Sequence, residues 1–303
     1  MVDRSVMVQQ ERSGTDWALY QADCVDFARQ LPDSSIDYSV YSPPFASLYI
    51  YSDSVCDLGN CADDAEFMEQ YRFLISEMHR ILRPGRVVSV HCKDLVNYKG
   101  RDGMAGLRDF PGDIIRLHTE AGFAYHSRVT IWKDPVIEMQ RTKAHGLLYK
   151  QLRADSTFSR QGLAEYVLTF RKWAKEDEAV APVTHTRDDF ELDQWQQWAS
   201  PVWTDIRQTN VLNVKQARMA GDEKHICPLQ LDLIERCIVL WSNPGETVFS
   251  PFAGIGSEGV VSLKLGRKFV GTELKASYFA DACGYLSAAE RANCDLFVEH
   301  EAA

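Results

Sequence analysis

The chain contains no apolar run near the roughly 20 residues that a helix needs to cross a bilayer. The opening residues Met1-Val2-Asp3-Arg4 lack the apolar core of a secretory signal, so a cytoplasmic protein without a membrane partner is expected. None of its eight cysteines (Cys24, Cys56, Cys61, Cys92, Cys227, Cys237, Cys283, Cys294) stands in a Cys-x-x-Cys pair. A chain of 303 residues has no need of disulfide staples, which points to free thiols in a reducing compartment. Nor do Cys56, Cys61, His79, His91 and Cys92 fall at any zinc-ligand spacing, so no metal is expected. Internal repeats and long low-complexity tracts are missing too. The formal charge of −10 argues against indiscriminate binding to polyanions, which requires positive charge at the contact.

What is present is an ordinary globular composition, 45% hydrophobic and 25% charged, enough for one large core or two modest ones. The charge is unevenly spread. Residues 133–175 hold nine Lys or Arg against four acids, a net of +5 that leaves −15 on the rest of the chain. Residues 176–193 reverse this, with seven acids and one Arg, and read as a linker or exposed loop.

Periodicity gives the elements. A strand at 17–20, a short helix opened by Asp23-Cys24 and a strand ending at Ser42 come first. From Asp63 to Leu82, Phe67, Tyr71, Leu74, Ile75, Met78, Ile81 and Leu82 recur every three or four residues, which predicts a helix ended by Arg83-Pro84-Gly85. A buried strand at 87–91, a helix at about 112–120 and strands at 125–132 and 165–170 follow. The last two predict a hairpin carrying the basic segment, about 134–162, as an insertion. Trp195, Trp198 and Trp203 read as a small core rather than as base-stacking contacts. A helix over 229–241 then leads to a strand at 247–249, a glycine turn, a helix ending at Gly266 and a strand at 268–272. Strands alternating with helices imply an α/β protein with a mostly parallel sheet.

Two segments carry chemistry. Phe249-Ser250-Pro251-Phe252-Ala253-Gly254-Ile255-Gly256-Ser257 is a strand-to-helix turn, and Glu273 follows Gly254 by 19 residues at the end of the next strand. Glycines let a backbone approach a ligand closely, and a carboxylate at the neighbouring strand tip accepts from ribose hydroxyls. The pattern specifies a nucleoside without its chemistry, and a dinucleotide site or a plain tight turn has the same spelling. The second segment, Ser42-Pro43-Pro44-Phe45, ends a strand with two residues that have no N–H to donate. Such a corner is rich in acceptors. The Ser42 hydroxyl and the Pro43 carbonyl can both accept from one exocyclic –NH2 while the Phe45 ring stacks on its base. A simple strand-ending turn is the plainer alternative.

These two segments, in this order, resemble the amino-methyltransferases of DNA that use S-adenosylmethionine, in the permuted, beta-class arrangement where the catalytic motif precedes the cofactor motif. The likeness runs over most of the chain. It implies a Rossmann-like methyltransferase fold, mostly parallel with an antiparallel hairpin. It assigns catalysis to Ser42, Pro43, Pro44 and Phe45, the serine form being typical of cytosine-N4 enzymes. It assigns the cofactor to Phe252, Ala253, Gly254, Gly256, Ser257 and Glu273, its methionine end to His225, Pro228 and Gln230, and its adenine side to Asp23. The family usually has Asp where this chain has Ser250, so that cofactor contact is weakened or remade. A catalytic half at 1–175, an acidic linker and recognition region at 176–224 and a cofactor half at 225–303 on the same sheet are expected.

The implied reaction moves a methyl group to N4 of a cytosine flipped from double-stranded DNA. Adenine-N6 methylation by the same architecture and a non-catalytic, cofactor-binding regulator are the alternatives. No Pro-Cys nucleophile of the kind cytosine-C5 chemistry needs is present, since Cys227 precedes its proline. Target contact is assigned to the basic insertion, with Arg141, Lys143, Lys150, Arg153 and Arg160 on phosphates or guanine edges. Asp94, just past the strand ending at His91-Cys92, is expected to cap a helix, with a contact to the target ring as the alternative. Whether the protein pairs as a homodimer is left open by the sequence.

Overall fold

The computed structural model describes residues 8–44, 61, 64–142, 145–188, 190–212 and 228–301. Phe45, Lys143, His225 and the side chain of Arg141 lie outside the described residues. In chain order the elements are β1 (Gln10–Ser13), β2 (Trp17–Gln21), α1 (Cys24–Ala28), β3 (Tyr38–Tyr41), α2 (Asp64–Ile81) and β4 (Val87–Cys92). Then come β5 (Leu95–Asn97), α3 (Lys99–Asp102), β6 (Gly106–Arg108), α4 (Phe110–Glu120), β7 (Phe123–Ile131), α5 (Pro135–Thr142) and α6 (Tyr149–Ala154). β8 (Glu165–Lys172), α7 (Leu192–Trp198), β9 (Val202–Trp203), α8 (Leu231–Trp241), β10 (Thr247–Ser250), α9 (Ser257–Lys264), β11 (Lys268–Thr272) and α10 (Ala276–Glu301) complete the chain.

Nine strands form one sheet in the order β1-β2-β11-β10-β3-β4-β8-β7-β9. β2, β11, β10, β3 and β4 run parallel, whereas β8 is antiparallel to both β4 and β7. The two cofactor-half strands thus lie between β2 and β3, so both ends of the chain build one sheet. β3 is buried at all four positions, as expected of a strand covered on both faces.

The helix read from residues 63–82 is α2. Phe67, Tyr71, Leu74, Ile75, Met78, Ile81 and Leu82 all lie in the core with Tyr41, Val88, Val90, Leu168 and Phe170 of the sheet. Each fully buried aliphatic or aromatic side chain there is worth about 1.5–3 kcal/mol of transfer free energy. Gly85, with φ +78°, ends the segment in a conformation that disfavours a Cβ. α8 covers the opposite face through Leu233, Ile234, Cys237 and Ile238, packed on Tyr38, Val40, Val167 and Val248. α9 and α10 close the β2–β11 end through Val260, Leu263, Phe279 and Leu286.

Two expectations need correction. Asp94 caps no helix, because β5 follows it directly. The helix expected from Gly112 begins at Phe110, with the Asp109 carboxylate accepting from Gly112 N at 2.8 Å, since an aspartate two residues before a proline is the stronger start signal. The tryptophan reading holds for two of three. Trp203 is buried, and the Arg236 guanidinium lies 4.7 Å from its ring and 5.0 Å from that of Trp198, while Trp195 is exposed. Among the described residues no helix is long and apolar enough to cross a membrane. Cys24, Cys61, Cys92, Cys237 and Cys283 are free thiols.

Candidate active site

The carboxyl ends of β2, β3, β4, β7, β10 and β11 and the amino end of β8 all open on one edge of the sheet. After β10 the chain moves through α9 to β11, and after β3 it moves through α2 to β4 on the other side. β3 and β10 are neighbours, so the direction of winding changes between them and leaves a crevice at their tips. The Ser42 and Gly254 corners are those tips. They are tied together below the crevice by Ser39 Oγ donating to the Phe249 carbonyl at 2.7 Å, and by the Tyr41 and Phe252 rings, 5.7 Å apart.

The glycine corner is shaped by backbone. Gly254 and Gly256 have φ of +53° and +91°, and the Ala253 N–H donates to the Thr272 carbonyl at 2.9 Å. A Cβ on Gly256 would stand 3.2 Å from that of Ala282, whereas one on Gly254 would meet nothing within 4 Å among the described residues. Close packing explains the first glycine, and open space suited to a ligand lies over the second. Glu273 accepts from Gly254 N and Lys275 N, each at 2.9 Å, which fixes its carboxylate beside the turn. Asp23, at the tip of β2, caps α1 by accepting from Val25 N and Asp26 N. Burial raises its pKa, opposed by these hydrogen bonds. Ser257 and Glu258 are buried in the first turn of α9. Burial, with Glu273 adding repulsion, pushes the Glu258 carboxyl up to about 8.

The Ser42 corner is shaped by side chains. Pro43 is buried and Pro44 half-buried. Ser42 Oγ lies 3.1 Å from His91 Nδ1 and 3.3 Å from the His91 carbonyl. His91 Nε2 lies 3.2 Å from Glu165 Oε2, and Lys133 Nζ reaches Glu165 Oε1 at 2.9 Å. Gln230 Nε2 donates to Glu165 Oε2 at 3.3 Å. His91, Lys133, Glu165 and Gln230 are all buried. Burial works against the Glu165 charge, but the hydrogen bond from His91 and the Lys133 ammonium outweigh it and hold this carboxyl well below the usual carboxylate range. Sequence reasoning missed His91, Lys133 and Glu165 as site residues. The signal was faint: a polar residue at the end of one buried strand and another at the start of the next.

Ser250 Oγ and Gln230 Oε1 are among the buried polar atoms at this edge that have no hydrogen-bond partner among the described residues. Such atoms cost about 1–3 kcal/mol each unless something answers them. With the open space over Gly254 and the Glu273 carboxylate beside it, they fit an adenosine carrying a polar amino-acid tail. Pro228 is half-buried just ahead of Gln230.

The basic insertion does bridge the β7–β8 hairpin, carrying α5, a 3-10 turn and α6. Lys150 and Arg153 are exposed on α6, beside exposed Tyr149, Leu152 and Phe158. Arg160 differs. It is half-buried, its backbone N–H donates to the Gly146 carbonyl and its guanidinium to the Gln161 carbonyl, so it serves the loop first. Among the described residues no group of three His, Cys, Asp or Glu side chains is placed to hold a metal.

An open α/β sheet with a glycine turn and a ribose-type carboxylate at its switch point defines a nucleoside-binding site, and the sequence family supplies its chemistry. The sequence profile of the N6/N4 DNA methylases matches residues 36–283, and the chain belongs to that family: it is an S-adenosylmethionine-dependent DNA methyltransferase. Over 288 residues it is 24% identical to the Type II methyltransferase M.BglII of Bacillus subtilis, covering 89% of this chain and 68% of that one. It matches the cytosine-N4-specific PvuII DNA methyltransferase with a TM-score of 0.64 at 17% identity, over 90% of this chain and 87% of that one. A protein from Thermus thermophilus assigned as a DNA modification methylase, solved with S-adenosyl-L-methionine, matches with a TM-score of 0.64 at 21% identity, over 88% and 91%. At these identities the two solved structures carry the fold alone.

Proposed function

We propose that the protein methylates N4 of a cytosine flipped out of double-stranded DNA, with Ser42 and the Pro43 carbonyl accepting from the amine and the Phe45 ring stacking on the base. Flipping costs a few kcal/mol, part of which stacking returns. The bound cofactor supplies an electrophilic methyl on a sulfonium. Gly254, Gly256, Ala253, Phe252, Ser257, Ser250, Glu273 and Asp23 hold its nucleoside, and His225, Pro228 and Gln230 its amino-acid end. Drawing both amine N–H bonds toward acceptors localises the nitrogen lone pair, and fixed orientation supplies most of the acceleration. Lys150 and Arg153, with Arg141, Lys143 and Arg160, face the phosphates.

The observation that carries this reading is the adjacency of the two corners. β3 and β10 are hydrogen-bonded neighbours whose tips open on one crevice, so an amine held at Ser42 sits beside a donor held at Gly254. Ser42→Ala is expected to lower methyl transfer at least about 100-fold while cofactor affinity stays within about twofold. A tritiated-methyl assay with calorimetric cofactor titration reads both, and full turnover in the variant overturns the role of Ser42. Adenine-N6 transfer is the second reading, favoured by a family profile that spans both amines. Nuclease digestion of the methylated DNA and mass spectrometry of its nucleosides separates the two.

A further inference from the structure

The acceptor corner has a buried chain of polar groups behind it that amine binding alone does not require. Ser42 Oγ, His91 Nδ1, His91 Nε2 and Glu165 Oε2 follow one another at 3.1 and 3.2 Å, with the imidazole bridging the two outer groups. We propose that this chain is a proton path: Ser42 takes a proton from the methylated amine while passing its own hydroxyl proton to His91 Nδ1, and Glu165 orients His91 for the task. The inference rests on the proposed role of Ser42 and holds for either exocyclic amine.

The tautomer follows from the neighbours. Glu165 is held ionised against its burial by the hydrogen bond from His91 and by Lys133 at 2.9 Å, so it only accepts, and His91 Nε2 must carry a hydrogen to meet it. The proposed path takes His91 as the neutral imidazole before transfer, since only that form can accept a proton. Nδ1 is then bare and accepts from the Ser42 hydroxyl. That bond turns a Ser42 lone pair toward the crevice, which is the orientation an amine donor needs. The Ser42 contact to the His91 carbonyl at 3.3 Å is the longer alternative for the same hydrogen.

The balance is simple. A new N–C bond forms as the methyl–sulfur bond breaks with its electron pair left on sulfur, and the amine nitrogen becomes a four-bonded cation. One of its protons moves to Ser42 Oγ, the Ser42 proton moves to His91 Nδ1, and the resulting imidazolium is met by Glu165. The proton leaves for solvent by the same route when the base departs. An arylammonium is a strong acid, so an imidazole suffices. The groups facing His91 include, among the described residues, Ser42 from the tip of β3, Glu165 from β8, and Lys133 and Gln230 through Glu165. On its own strand end lie Lys93, paired with Glu138 at 3.6 Å, and Asp94. His91 acts through Ser42 and is a positioning residue.

The test has two arms. Nitrogen-15 NMR of histidine-labelled wild-type protein should show His91 with Nε2 protonated and Nδ1 bare near neutral pH, and a protonated Nδ1 overturns the path. In single-turnover tritiated-methyl transfer, His91→Asn keeps a side chain able to contact Ser42 but not to take its proton. It should slow the step about 100-fold and abolish the acid-side fall of the wild-type pH profile, with cofactor and DNA dissociation constants unchanged. A wild-type rate and profile in this variant also overturns the path. Should the variant fail to fold, the NMR arm still decides, with assignment from the shift that Ser42→Ala induces at Nδ1. If the wild type methylates adenine, the cytosine reading fails while the His91→Asn defect persists, so the two claims separate.

Discussion

Two buried glutamates flank the crevice, and their surroundings push them in opposite directions. Glu165, behind Ser42, is held ionised by His91 and the Lys133 ammonium despite its burial. Glu258, behind the glycine turn, has no such cation among the described residues, and burial with Glu273 nearby raises its carboxyl to about 8. One side of the crevice is a charged network of side chains, and the other is a backbone turn backed by an acid that stays protonated at neutral pH. A site that must accept a proton needs paired charge and a fixed tautomer. A site that must admit a nucleoside needs open backbone and spare hydrogen-bonding atoms.

Breaking the charged side should have the largest effect on folding. Glu165→Ala leaves the Lys133 ammonium buried and unpaired, which costs about 3–5 kcal/mol and lowers the midpoint of urea unfolding. Adding Lys133→Met to Glu165→Leu should recover most of that stability while methyl transfer stays impaired. If the double variant regains transfer, the network is scaffolding only.

The protonated side should show its character in the pH dependence of stability. The unfolded Glu258 carboxyl ionises above its ordinary value of 4.5, while the folded one keeps its proton up to about 8. Its contribution is therefore fully present below about pH 4.5 and is lost as pH rises through 8, by a few kcal/mol. Glu258→Gln should remove this decline between about pH 4.5 and pH 8 in thermal melts. A slope unchanged from the wild type would mean that Glu258 is solvated.

Within the glycine turn, two neighbours should respond differently. Gly256→Ala forces a Cβ to 3.2 Å from that of Ala282 at positive φ and should cost about 1–3 kcal/mol of stability. Gly254→Ala meets open space and should cost about 1 kcal/mol or less, yet weaken cofactor binding about tenfold by occupying the ligand's approach. Melts and calorimetric titration distinguish the pair, and equal affinity in Gly254→Ala would remove that glycine from the binding surface. The smallest structural effect is expected at the surface of the insertion. Lys150→Glu with Arg153→Glu should leave stability within about 0.5 kcal/mol and lower the salt-dependence slope of DNA binding by about 2. An unchanged slope would move DNA contact elsewhere, with the 176–224 segment next in line.

The seven longer strands from β2 to β11, the long helix α2 and the glycine turn were legible because each is a local requirement written in adjacent residues, whereas the short strands β1, β5, β6 and β9 were not. Apolar side chains every three or four positions make α2, and a turn with positive φ at two positions selects glycine. The adjacency of Ser42 and Gly254 followed only from the family likeness, and the sheet order supplies its physical basis. Asp94 was misjudged because an aspartate before an apolar residue has the same local spelling ahead of a helix or a strand.

The chain by itself determined the elements, the turn and the acceptor-rich proline corner, since steric and hydrogen-bonding limits on a few consecutive residues leave little choice there. Tertiary structure alone decided that residues 42, 91, 133, 165 and 230 meet in one buried network. They come from the ends of four strands and the start of a helix, and their partnership depends on which strands pair and in what register. No short-range rule carries that information, because a histidine ending one strand and a glutamate opening another become partners only when the sheet sets them side by side.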